Sequence, residues 1–119
     1  MPFKKMLREL VESAAGATGA ILADWEGEAV EQHCLYDDYE LKVLAAHKGI
    51  ILNRVKELQA RLTGDSLREA VISTASQHVL IGGVGDDYLL VLTLDRSAIV
   101  GLALRQFRSV VECLKKEIY

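Results

Sequence analysis

Proline is almost missing from this chain. Pro2 is the only one among 119 residues, so past the first turn nothing forbids a helix interior or a central strand. Cysteine is scarce as well: Cys34 and Cys113 lie far apart and form neither a CxxC pair nor a metal-ligand spacing. That excludes a disulfide framework and reads as two reduced, semi-buried thiols of a cytoplasmic protein. Charge of one sign is not concentrated anywhere. The net charge is −3 with acids and bases intermixed, and without a polybasic run neither nucleic acid nor an anionic membrane is expected as the main partner. Long apolar runs are lacking too. The longest uncharged stretch, Ala70 to Gly85, contains Ser73, Thr74, Ser76, Gln77 and His78, too polar and short to cross a bilayer, and Arg8, Glu9 and Glu12 interrupt any signal-peptide core.

Half of the residues are hydrophobic and 26% are charged, the balance of a globular protein, and the length suits one domain spanning residues 1–119. Phe3, Met6, Leu7, Leu10, Val11 and Ala14 recur at helical spacing, with Gly16 where a C-terminal cap belongs. "ATGAILAD" and "AVEQHCLY" read as two strands joined by "DWEGE", where Gly27 supplies the positive φ of a short hairpin loop. Asp37 and Glu40 resemble a capping box opening a central helix from about Asp38 to Leu62, ended by Gly64. Three strands follow, "REAVISTA", "HVLIGGV" and "YLLVLTL", with turns at Ser76-Gln77 and Gly85-Asp86-Asp87. Asp95 is then expected to cap a last helix with Ile99, Leu102, Ala103, Phe107, Val110, Cys113 and Leu114 on its apolar face. "YLLVLTL" is apolar at nearly every position, so it should be covered on both sides. The expected fold is α+β, in the order αββαβββα: a five-stranded antiparallel sheet with helices on both faces.

No pattern of catalytic residues emerges. "IGGVGDD" has the glycines of a phosphate loop, but a strand follows where such a loop needs a helix N-terminus, so Gly82, Gly83 and Gly85 read as strand and turn residues. His33 and Cys34 point to opposite faces of one strand and cannot converge on a metal. No serine, cysteine or lysine sits in a nucleophile motif, and Arg54, Arg105 and Arg108 read as solvated helix-face charges. The expectation is no enzyme, no cofactor and no metal.

The central helix carries the informative anomaly. Leu41, Leu44, Ile51, Val55, Leu58 and Leu62 form one stripe, enough to pack on the sheet. Val43, Ala46 and Ile50 form a second apolar cluster nearly opposite, bordered by His47, Gly49 and Arg54, which a monomer would leave in water. Two readings stand: another helix of the same chain covers it, or a two-fold axis lets the face satisfy itself in a homodimer whose interface includes Val43, Ala46, His47, Ile50 and Arg54. The third strand, Arg68 to Ala75, can also sit at the sheet edge and pair with its mate. Trp25, beside Asp24, Glu26 and Glu28, is either a candidate partner contact or a ring folded over its own hairpin. A partner at this acidic tip would present basic or polar groups.

These patterns resemble the roadblock (dynein light chain) family, especially its bacterial branch. "MLRELVESAAGATGAILADWEGEAV" is similar to the family's opening helix and hairpin, "YELKVLAAHKGIIL" to its dimerising central helix, and "DDYLLVLTLDRSAIVGLAL" to its last strand and small-residue-rich third helix. The resemblance implies a profilin-like fold and a non-catalytic dimer with its two sheets continued across the two-fold axis. It also implies a Ras-like small GTPase as partner, whose nucleotide hydrolysis or location the dimer adjusts. A structural light chain or scaffold subunit, indifferent to nucleotide state, is the alternative the family offers.

Overall fold

The helical spacing at the start of the chain forms α1, Phe3–Ser13, in a computed structural model that describes residues 3–24, 28–35, 57 and 68–119. Its buried residues are Phe3, Leu7, Leu10 and Val11, one face of the helix. Gly16, at φ 87°, turns the chain out of α1 in a left-handed conformation that a side chain would resist. Five strands follow: β1 Ala17–Asp24, β2 Ala29–Cys34, β3 Glu69–Ser73, β4 Gln77–Val84 and β5 Tyr88–Asp95. A last helix, α2, spans Val100–Ile118.

The strands form one antiparallel sheet in the order β2-β1-β5-β4-β3. β5 is the central strand, flanked by β1 and β4, which is why it has no wet side: Leu89 through Leu94 are all fully buried. Alternation along the strands divides the apolar residues between two faces. Ala20, Leu22, Leu80, Val84, Leu90, Leu92 and Leu94 pack with Leu7 and Leu10 of α1 and with Ala103, Phe107 and Leu114 of α2. Ile21, Ala23, Val79, Ile81, Leu89 and Val91 form a separate cluster on the other face, and no residue of α1 or α2 belongs to it. Both described helices therefore lie on one face, and the central helix expected on the other lies outside the described residues. At about 1.5–3 kcal/mol for a fully buried large aliphatic side chain, each face contributes substantially to stability.

Two details fix the layers. Gly82 lies under the ring of Phe107, where an added Cβ would come within 2.7 Å of Cε1, so the glycine lets α2 settle onto β4. Thr93, fully buried, has its hydroxyl 2.8 Å from Thr18 Oγ1 and donates to the Gly19 carbonyl at 3.3 Å, which satisfies the polar group.

Three expectations are corrected. Asp95 does not cap α2: its carboxylate accepts from the Arg96 amide at 3.0 Å and from Ser97 Oγ at 2.6 Å, closing the turn after β5, while Ile99 is the N-cap residue and makes no side-chain cap. The helix starts later than the aspartate suggested. Its apolar face is also narrower, since Ile99 is 66% exposed, Leu102 is 57% exposed and Cys113 faces solvent, leaving Ala103, Phe107 and Leu114 as the buried residues. The reading of Cys113 as semi-buried is corrected with it, whereas Cys34 is half-buried.

Candidate functional site

The sheet ends in two edge strands, and the environment of each follows from local sequence. β1 and β2 form the expected hairpin. The Asp24 amide donates to the Glu28 carbonyl at 3.0 Å, and the Glu28 amide returns a bond to Asp24 Oδ1 at 3.0 Å, closing the loop. Because Asp24 pairs with Tyr88, this acidic hairpin end lies beside the β4–β5 turn that carries Asp86 and Asp87. Gly85, at φ 65°, begins that turn and β5 follows it, so the glycine-rich segment is a strand and a hairpin turn as expected, with no helix to receive a phosphate. The phenol of Tyr119 donates to Asp87 Oδ2 at 2.9 Å and ties the end of α2 to the turn. Desolvation of the phenol and then this hydrogen bond push the Tyr119 pKa up.

At the other edge, β3 pairs with β4 alone among the described residues, and Val71 in its middle is 43% exposed. Arg108 of α2 reaches across to β3, donating to Glu69 Oε1 through Nε at 2.8 Å and through a second guanidinium nitrogen. This pairing raises the Arg108 pKa, by hydrogen bond first and by charge second. Arg108 is thus a strut between α2 and the edge strand and not simply a solvated charge. Below it, an open groove of about 710 Å³ runs between α2 and the β3–β4 side, with Arg68, Arg108 and Lys115 set against Glu69, Asp86 and Glu112. The two signs balance, so the groove has no evident preference for an anion or a cation.

One cluster that sequence reasoning passed over resembles catalytic chemistry. Ser73 and His78 are cross-strand partners on β3 and β4, and Ser73 Oγ is 2.7 Å from His78 Nδ1. On the other side of the ring, Nε2 lies 2.9 Å from Arg96 Nη1 and 3.1 Å from the Arg96 carbonyl. Both ring nitrogens are thus engaged, Nδ1 by the Ser73 hydroxyl and Nε2 by the main chain and guanidinium of Arg96. The cluster is a brace: a mostly buried histidine fastens the β3–β4 hairpin to the segment entering α2. The short turn between Ser73 and His78 was the available signal, because it sets the two residues opposite one another.

The interface residues expected from the sequence, Val43, Ala46, His47, Ile50 and Arg54, and the candidate contact Trp25, all lie outside the described residues. Among the described residues no three of histidine, cysteine, aspartate and glutamate converge to hold a metal, and no helix is long and apolar enough to cross a membrane.

The order of the strands, with a two-helix layer on one face and a separate apolar cluster on the other, has a counterpart among known proteins. The model of the Roadblock/LC7 domain matches residues 3–94. The chain belongs to this family. A Roadblock/LC7 domain from Streptomyces avermitilis superposes with a TM-score of 0.87 at 17% identity, covering 97% of this chain and 96% of the other. The gliding protein MglB of Thermus thermophilus superposes with a TM-score of 0.83 at 22% identity, covering 94% of this chain and 84% of that one. Profilin IA of Acanthamoeba castellanii shares the fold at 12% identity and a TM-score of 0.69, covering 98% and 99% of the two chains. No curated protein matches the sequence. The roadblock and profilin-like expectation thus holds for the fold.

Proposed function

We propose that this roadblock chain is a single-domain, non-enzymatic, cytoplasmic homodimer that binds a Ras-like small GTPase and adjusts its nucleotide state or its location. Membership of the family over residues 3–94 carries the reading, because the resemblance of the opening hairpin, central helix and last strand is to the bacterial branch that acts on such GTPases. The sheet supports the dimer. β3 is an edge strand with Val71 exposed, and among the described residues no side chain hydrogen-bonds to its backbone, so a second copy can continue the sheet there. The central helix, with Val43, Ala46, His47, Ile50 and Arg54 along one side, would supply the rest of the seam.

Such a protein needs no reacting group. Different affinity for the two switch conformations of the GTPase is enough to move it between states, and any gain in hydrolysis comes from ordering the GTPase's own catalytic residues. The test is a pull-down of purified Ras-like small GTPases loaded with GDP or with a non-hydrolysable GTP analogue. Retention of one state over the other is expected. Equal retention of both states supports a structural light chain or scaffold subunit instead, and retention of neither across the panel removes the GTPase from the account.

A further inference from the structure

The two edges of the sheet are not equivalent. In an antiparallel edge strand, the N–H and C=O groups that face outward belong to the same residue, at every second position, and an added strand must bond to them. Gln32, in the middle of β2, is such a residue. Its carbonyl accepts from Lys4 Nζ of α1 at 3.1 Å, and its amide donates to Glu31 Oε1 at 3.1 Å. The two side chains also meet each other, Lys4 Nζ to Glu31 Oε1, at 3.6 Å. The register of β1 and β2 shifts between Leu22 and Ala23, which leaves Val30 without a partner on β1 and 45% exposed. An incoming strand would meet a bulge and, two residues on, a position already bonded.

We propose that Lys4 and Glu31 form a clamp on Gln32 that closes the β2 edge to strand addition and so confines self-assembly to β3. The inference rests on the dimer reading for the choice of the open edge. A dimer joined at β3 presents β2 at both ends of its continued sheet, and an end that accepts strands turns a closed two-fold assembly into an open one that grows by copies of the same chain. The occupant excluded from the β2 edge is therefore a second copy of this protein. α1 contributes more than a core face, since it also delivers the ammonium that takes the Gln32 carbonyl. The lysine is the same kind of device that keeps other edge strands from pairing.

The experiment is sedimentation velocity of the full chain over a concentration series, for the wild type and for variants at the clamp. Both side chains reach solvent, 63% exposed for Lys4 and 35% for Glu31, so their replacement leaves the core intact, which far-ultraviolet circular dichroism verifies. Lys4→Met combined with Glu31→Ala is expected to associate beyond the wild-type mass, with a weight-average mass at least roughly doubled at the highest concentration. Glu31→Gln keeps an acceptor for the Gln32 amide and should sediment as the wild type. The charge swap Lys4→Glu with Glu31→Lys separates the clamp from a simple ion pair: it restores opposite charges but sets a carboxylate against the Gln32 carbonyl and an ammonium beside its amide. It should associate like the double variant. A double variant that keeps the wild-type mass throughout, or a swap that behaves as the wild type, overturns the clamp. A wild type that sediments as a monomer overturns the dimer reading instead, and the two failures are distinguishable.

Discussion

Leu90 and Leu92 point from the central strand toward α1 and α2, whereas Leu89 and Val91, one residue along the same strand, point to a face that neither helix reaches, yet all four are fully buried. The first face is accounted for by contacts within the described chain. The second is apolar as well and needs an apolar cover, which the stripe Leu41, Leu44, Ile51, Val55, Leu58 and Leu62 of the expected central helix is suited to supply. On the helix expected from the sequence, that stripe would use up only one side. The difference between the faces thus bears on the proposed dimer: a helix that covered the second face with one apolar side would still have Val43, Ala46 and Ile50 to hide.

The comparison can be broken most forcefully in the core itself. Phe107→Ala on the helix-bearing face should destabilise the protein by about 3–5 kcal/mol, and Leu89→Ala on the other face by about 2–5 kcal/mol, read from urea unfolding with unchanged m values. If Leu89→Ala costs no more than a surface substitution, the second face is not packed and the reasoning from its burial fails. A smaller loss is expected from Gly82→Ala, about 1–3 kcal/mol, because the new methyl meets the Phe107 ring. A neutral result would mean that α2 stands farther from β4 than the structure places it.

The smallest effect sharpens the comparison at the end of α2, where Tyr119 fastens the helix layer to the β4–β5 turn. Its pKa is raised, so the neutral phenol is favoured in the folded state. The resulting stabilisation is fully present below the ordinary tyrosine range and is lost as pH rises through the elevated folded value. Stability should therefore decline with pH across that alkaline window, and Tyr119→Phe should remove this part of the slope. An identical slope in both proteins would show that the phenol is not held by Asp87.

Much of the fold was legible because it is written in local patterns. β1 and β5 are apolar runs bounded by turns, and Gly16 and Gly85 stand where the chain turns with positive φ. What was misread depends on side-chain contacts, near or far along the chain, that apolar spacing does not record. Asp95 looks like a helix cap until Arg96 and Ser97 are seen to use its carboxylate. Arg108 looks like a solvated charge because its partner, Glu69, is 39 residues away. The Lys4 contact with Gln32 spans 28 residues and has no signature in either segment. The proposed seam was legible only as a surplus: a helix with two apolar sides indicates that something must cover the second one, but spacing alone does not name the occupant.

The most direct test of the dimer at the centre of this account is sedimentation equilibrium of the wild-type chain and of Ile50→Asp at low micromolar concentration. The wild type is expected to have the mass of two chains and the variant the mass of one, because the substitution would bury an unpaired carboxylate at a symmetric seam. A wild type with the mass of one chain, or a variant that stays paired, would contradict the dimer.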